Sequence, residues 1–387
     1  MPFQEDFAVE QFMDRYETGI SYNLGETCCH SLTLAEISQL SNDKPFQLDP
    51  DMRLTYGAIK GSKDLRTLIA GLYGVQFSAD NVLVTNGAIG ANFLLYYTLV
   101  GKGDHVICVH PTYSQLYSVP KMFGAEVTLL ELSEKDSFLP NLDTLKKAIK
   151  SNTKLIIINN PNNPLGCVIS DELLTSICEL CKEKNVYLHC DEVYRPIFHS
   201  LPSGVTTPRS AAQIYDNAVV SGSMSKAFSL AGIRLGWIVS KNAKLLRDAA
   251  SRRDYNTISV SMVDDAVAQY ALKNCDAIVK RNYELCLENL KILDKFMDGN
   301  ADIFQYVCKP QAGTVCLIKV SQIEDTLSFA KFLAEEYSVL TVPGETFDFP
   351  GTLRIGYAND TKDLQEGLPL LKSAYTNWLA RETVDGN

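Results

Sequence analysis

Across the middle of the chain, short apolar runs rich in β-branched residues alternate with stretches in which apolar positions recur every third or fourth residue. The runs Val82 to Thr85, His105 to Val109, Val127 to Leu132, Leu155 to Ile158, Val186 to His189 and Ala218 to Val220 predict buried strands. Between them, Leu65, Leu68, Ile69 and Leu72 lie at helical spacing, Asn86 is placed to cap a helix through Val100, and Asp171 to Lys184 reads as another helix. Strands alternating with helices over about two hundred residues predict a largely parallel sheet covered on both faces. Leu235 to Val239 reads as a strand returning to the same sheet. Ligands of such sheets collect beyond the carboxyl ends of the strands.

The pattern changes at a long helical region that begins after Asp264 and runs through Leu290 and Leu293. Beyond it, Val315 to Val320, Val339 to Val342 and Leu353 to Ile355 are shorter strands, with a helix around Leu327 to Glu336. This predicts a second, smaller α+β domain. Near the start, Tyr22 to Thr27 is extended and glycine-punctuated, and Leu32 to Leu40 reads as a helix with too little apolar surface around it to fold alone. The expected division is an N-terminal arm with part of the small domain (residues 1–49), a large domain (50–275) and the C-terminal small domain (276–387).

Composition removes several classes. The 387 residues are 46% hydrophobic and 21% charged, enough for a large core and unlike a disordered chain. A net charge of −10 with no basic block argues against general nucleic-acid binding. Met1 to Glu10 is acidic and polar, unlike a signal peptide, and the longest apolar run, Phe93 to Val100, is too short to span a bilayer. Eleven cysteines then fit reduced thiols in a cytoplasmic protein. The five histidines make no metal spacing, and no metal is expected. Cys178 and Cys181 form a CxxC inside an apolar helical pattern, where packing is the expected role.

Candidate chemistry clusters at the predicted strand ends. Lys226 follows Ser223-Met224-Ser225, small and hydroxyl residues at the end of an apolar run. An amine whose pKa is lowered there can hold an aldehyde cofactor as a Schiff base; the plain alternative is a surface lysine in a serine-rich loop. Asp191 closes an apolar strand and can pair with a protonated ring nitrogen, or simply cap the next turn. Tyr194 and Asn163 can donate to a ring oxygen, and Tyr113 can stack on a planar ring; each also has an ordinary role as a half-buried aromatic or a turn residue. Asn86-Gly87-Ala88-Ile89-Gly90 leaves backbone amides open to an anion. Arg234 and Arg354 can fork onto phosphate and carboxylate, or serve as salt-bridge partners.

Asn160-Pro161-Asn162-Asn163-Pro164-Leu165-Gly166, Asp191-Glu192-Val193-Tyr194 and Ser223-Met224-Ser225-Lys226, the last continued to Gly232-Ile233-Arg234-Leu235-Gly236, are similar to the motifs of class I and II aminotransferases, fold type I pyridoxal-phosphate enzymes. Leu54-Thr55-Tyr56-Gly57 and Leu353-Arg354-Ile355-Gly356-Tyr357 extend the resemblance from about residue 20 to 380. It implies an aspartate aminotransferase-like fold, with a mostly parallel seven-stranded sheet in the large domain, and a homodimer with its sites at the interface. It also implies pyridoxal 5'-phosphate as cofactor, and an amino acid and a 2-oxo acid as substrates. Lys226 would form the internal aldimine and shuttle the proton, with Asp191 on the pyridine nitrogen, Asn163 and Tyr194 on the ring hydroxyl oxygen, and Tyr113 stacked. Ser223, Arg234 and the amides near Ala88 and Ile89 would hold the phosphate, Tyr56 would reach the neighbouring subunit's phosphate, Arg354 would clamp the substrate carboxylate, and Gly25 would lie over the substrate.

The same residues serve lyases and cyclases of this fold, such as capreomycidine synthase, aminocyclopropane carboxylate synthase and carbon–sulfur lyases, so that reading stays open. A non-catalytic binding protein would leave Lys226 unexplained, and a nicotinamide-dependent dehydrogenase would lack its GxGxxG turn. Glu26 to His30 and Cys167 depart from common members, and spacing does not choose a distal arginine among Arg53, Arg195, Arg252 and Arg253.

Overall fold

The large sheet has seven strands: β1 (Val82–Thr85), β2 (His105–His110), β3 (Glu126–Glu131), β4 (Thr153–Asn159), β5 (Tyr187–Asp191), β6 (Ala218–Ser223) and β7 (Gly236–Ser240), in the order β1-β7-β6-β5-β4-β2-β3. The computed structural model describes residues 4–41 and 44–385. Only β7 runs against its neighbours, pairing antiparallel with both β6 and β1; every other pairing is parallel. Alternate residues of the strands face opposite layers, as the two-residue period of a strand requires. Leu83, Val106, Cys108, Leu155, Ile157, Val219 and Ile238 pack on one side, and Val84, Ile107, Val109, Ile156, Ile158, Val220 and Val239 on the other. Both faces are dry, which is why these strands read as continuous apolar runs.

Most predicted elements lie within a residue or two of the observed ones, and Asp171–Lys184 is the helix expected. Cys178 and Cys181 sit on its buried face, and burial pushes the Cys178 thiol up to about 12, as expected of packed side chains. Asn86 does occupy the position before the helix Gly87–Leu99, but its side chain makes no capping bond, so the first-turn amides are not covered by it. The helical region after Asp264 is two helices, Met262–Lys273 and Cys275–Asp298. They part at Asn274, whose side chain bonds back to the Tyr270 carbonyl at 2.9 Å.

A second, antiparallel sheet is built from β8 (Phe304–Tyr306), β9 (Val315–Val320), β10 (Val342–Pro343) and β11 (Thr352–Gly356), in the order β10-β11-β9-β8. The run Val339 to Val342, read as one strand, is divided at Thr341. Val339–Leu340 pairs with Tyr22–Asn23 of the N-terminal segment, while Val342 pairs with Arg354 of β11. The chain needs both partners, so no single straight strand serves.

That N-terminal segment then crosses β11 at very short range. The Gly356 amide donates to the Leu24 carbonyl at 2.8 Å, and a Cβ on Gly356 would stand 1.7 Å from the Glu26 carbonyl oxygen. Only glycine admits that crossing. Gly356→Ala is therefore expected to lower stability by about 1–3 kcal/mol, measured by urea denaturation. A variant as stable as the parent would show that the crossing is loose.

Candidate active site

Beyond the carboxyl ends of β4, β5 and β6 lies a cavity of about 360 Å³. Its lining includes Gly25, Ala88, Ile89, Tyr113, Asn163, Asp191, Tyr194, Ser223, Lys226, Arg234 and Arg354, brought together from stretches spread over most of the chain. Of the residues singled out in the sequence, Tyr56 alone is outside this cavity; it is 70% exposed.

Asp191 is the last residue of β5 and is 4% exposed. Asn92 Nδ2 donates to its Oδ2 at 3.0 Å, and the Val193 amide to its Oδ1 at 3.2 Å. Burial nevertheless pushes the carboxyl up to about 6. Beneath it, His189 bridges the Tyr96 hydroxyl and Ser221 Oγ at 2.9 and 3.0 Å, and burial holds its imidazole down to about 3, a neutral ring in the sheet. Tyr194, 1% exposed, packs against Gly313, where a Cβ would approach the phenol ring to 3.2 Å.

Asn163 ends the Asn-Pro-rich turn that follows β4. Its amide donates to Asn159 Oδ1 at 2.7 Å, and its side-chain oxygen accepts from Arg354 Nη1 at 3.3 Å. Arg354 Nη2 donates to the Gly25 carbonyl at 3.0 Å, whereas its Nε has no partner although the residue is 2% exposed. Tyr113 donates to Glu10 Oε1 at 2.7 Å.

At the other end, the Arg234 guanidinium lies beside Gly87, where a Cβ would meet Nη2 at 3.0 Å, and a Cβ on Gly236 would fall 2.3 Å from the Gly87 carbonyl carbon. The glycines thus bring arginine, strand and helix N-terminus together around open amides. Ser223 Oγ accepts from the Ser225 amide at 3.2 Å on the same wall.

Lys226 Nζ donates to Thr27 Oγ1 and, at 3.5 Å, to Cys28 Sγ. Its pKa departs from the expected lowering. Burial disfavours the ammonium, but the acidic groups around it, Cys28, Tyr194 and Glu26, outweigh burial and raise it. Cys28 is itself pushed up to about 12 by burial and Tyr194 is raised, so at neutral pH the anion beside Lys226 is Glu26. Burial opposes ionisation of that carboxyl, yet Lys226 and the Thr27 and Cys28 amides more than compensate and hold it below its usual range.

The family model for aminotransferase class I and II matches residues 20–369. The chain belongs to that family, whose members depend on pyridoxal phosphate. A crystal structure of a PLP-dependent aminotransferase from Streptococcus suis superposes with a TM-score of 0.89 at 34% identity, over 97% of this chain and 98% of the other. The aspartate aminotransferase of Thermotoga maritima is 28% identical over 318 residues, 80% of each chain. Capreomycidine synthase of Streptomyces vinaceus is 26% identical over 287 residues, 74% of this chain and 72% of that one. The fold of this aminotransferase is the aspartate aminotransferase-like one the motifs implied.

The side chains present fit the cofactor. A buried carboxylate faces the cavity, amides and a guanidinium meet where glycines leave room, and two cavity-lining groups, Asn92 Oδ1 and Arg354 Nε, are buried without a partner. Sequence reasoning missed Glu10, Glu17 and Asn92, of which only Asn92 left a signal, as a polar residue inside the otherwise apolar helix Gly87–Leu99. Glu26, Thr27 and Cys28 belong to the stretch Glu26 to His30 that departs from common members, and they line the cavity.

Asp191 makes a stability prediction for the cofactor-free aminotransferase. Its folded pKa lies above the ordinary carboxyl value, so the stability from proton uptake is present below that value and lost as pH rises through about 6. Above that window the buried charge costs roughly 2–3 kcal/mol. Asp191→Asn should therefore be the more stable protein at pH 7.5 and lose that advantage near pH 4, in urea denaturation across pH. A pH-independent difference would assign the strain elsewhere.

Proposed function

We propose that this chain moves the α-amino group of an L-amino acid to a 2-oxo acid, with Lys226 as the residue that exchanges places with the substrate amine and then carries the proton. The observation that carries the reading is that Lys226 Nζ, the buried Asp191, Tyr194 and Arg354 all open onto one cavity. Pyridoxal phosphate, when bound, supplies an aldehyde for the amine and a ring that accepts the electron pair released at the substrate α-carbon. Asp191 would hold the proton on the ring nitrogen by charge pairing. Asn163 and Tyr194 would donate to the ring hydroxyl oxygen, and Tyr113 would cover the ring. Ser223, Arg234 and the amides of Ala88 and Ile89 would hold the phosphate. Arg354 would take the substrate carboxylate through its unpartnered Nε, and Gly25, whose carbonyl accepts from that guanidinium, would lie over the substrate. Lys226 Nζ would take the substrate α-proton and return it.

The proposal includes a homodimer in which Tyr56 serves the partner's site. Its support is the 70% exposure of Tyr56 beside Leu54 at 76%, two large side chains turned away from their own cavity. A cytoplasmic setting fits the eleven free cysteines. Likeness to capreomycidine synthase favours a second reading, a lyase or cyclase using the same cofactor residues. Product analysis with and without 2-oxo acids separates the two. Amine transfer that requires the oxo acid establishes the first, and ammonia or a cyclised product formed without it establishes the second.

Lys226→Ala is expected to reduce turnover about ten-thousand-fold and to abolish the Schiff-base absorbance, with the fold retained; unchanged turnover would sink the mechanism. Arg354→Ala should raise KM for the amino acid about 100-fold with cofactor affinity little altered, and loss of cofactor affinity alone would reassign Arg354. Co-refolding the inactive Lys226→Ala and Tyr56→Ala chains should restore roughly a quarter of parental activity, because half the dimers are mixed and each mixed dimer has one complete site. No recovery would remove Tyr56 from the partner's site.

A further inference from the structure

Besides Asp191, three carboxylates line the cavity with Arg354. Glu10 comes from the helix Ala8–Tyr16, Glu17 follows that helix, and Glu26 lies on the segment that crosses β11. Glu26 is rigidly placed. The amides of Gly25 and Glu26 both donate to Asn23 Oδ1 at 2.9 Å, and Glu26 Oε1 accepts from the Thr27 and Cys28 amides at 2.6 and 2.8 Å. Oε2 takes no part in these bonds, and Glu26 lines the cavity. Glu10 is fixed through Tyr113 at 2.7 Å.

Against these stand three cations in the lining, Lys226, Arg234 and Arg354. Arg234 lies at the opposite end beside Gly87, and Lys226 is the exchanging amine. Arg354 is an independent sign of a ligand, because it is 2% exposed and lines the cavity with its Nε unpartnered. One carboxylate can dock there. A second carboxylate on the same substrate would face three glutamates and find no further cation among the described residues of this lining, whereas a neutral side chain would add no counter-charge beyond the one Lys226 gives Glu26.

We infer that the side-chain end of this cavity selects amino acids with a cationic side chain, a guanidinium or a terminal ammonium, and that Glu26, with Glu10 and Glu17, determines that choice. The inference rests on the aminotransferase reading and names its substrate class. Glu26 is the principal partner because its position is fixed by four backbone hydrogen bonds within its own loop.

The test uses the holoenzyme and follows the cofactor spectrum with arginine, ornithine, citrulline, aspartate and glutamate. Citrulline is the uncharged isostere of arginine. Arginine or ornithine should exceed citrulline and both dicarboxylic acids in kcat/KM by about 100-fold, and the two cations against each other distinguish guanidinium from ammonium. Preference for a dicarboxylic or neutral amino acid overturns the inference and leaves the aminotransferase reading standing. If no amino acid reacts, the aminotransferase reading fails, and a binding measurement still decides the pocket. In calorimetry α-methylornithine, which has no α-proton to lose, should bind at least about tenfold more tightly than α-methylnorvaline; equal binding overturns the inference. Glu26→Gln keeps an oxygen for the loop amides and, because Glu26 is also the anion beside Lys226, should lower kcat/KM for every substrate but about 30-fold more for the cation than for citrulline, whereas Glu17→Gln should lower the cation alone about threefold. Equal losses for arginine and citrulline in both variants would make these residues structural.

Discussion

Arg354 holds three distant stretches of the chain in register. It stands on the small sheet, bonds the Gly25 carbonyl of the N-terminal segment at 3.0 Å and the Asn163 side chain beyond the large sheet at 3.3 Å, and is 2% exposed. A guanidinium does not shed its charge to escape burial. Burial does lower its pKa, and the acidic groups around it, Tyr194 first and then Glu10, Glu26 and Tyr113, oppose that shift. The cavity is thus built around a cation that needs acceptors on several sides, and the removal of any of them would leave a buried charge poorly paired. The unpartnered Nε is the part of this arrangement that the fold itself does not satisfy.

A second tension lies at Lys226. Simple burial lowers an amine's pKa, which was the expectation from a lysine at the end of an apolar run. Cys28 and Glu26, two of the three groups that reverse it, belong to the N-terminal segment, and that segment reaches the lysine only because Gly356 lets it cross β11 at van der Waals range; the third is Tyr194. The strand end fixes where the amine is, and the crossing segment fixes its charge.

This difference also explains what could be read from the sequence. Strands β2, β4, β5 and β6 are largely buried, so their apolar runs and the polar residues that stop them stand out, and Asp191, Ser223 and Lys226 follow from that pattern together with the motifs. Val339 to Val342 was legible as extended but not as divided, since its two halves are told apart only by partners more than three hundred residues away or on a later hairpin. Glu10 lies on an amphipathic helix whose polar face looks like any solvated face, and Glu17 directly follows it. Nothing local marks them as cavity walls, because their placement is a tertiary event. Asn92 is intermediate: a polar residue in an apolar helix must find a partner, but not a named one.

The residues assigned to the cofactor and those proposed to face the substrate side chain therefore come from different parts of the architecture. Most of the first sit at the ends of rigid, hydrogen-bonded strands, where small displacements are costly. The second ride on the N-terminal arm and on the segment over Gly356. The two sets are still coupled, because Glu10 holds the hydroxyl of Tyr113, the side chain assigned to the ring face. A change of charge at Glu10 alters the side-chain pocket and also frees the tyrosine, so substrate choice at that position cannot be retuned without disturbing the ring's cover. Glu17, for which the structure gives no such tie to the cofactor wall, is the position where charge can change with the least effect on the chemistry.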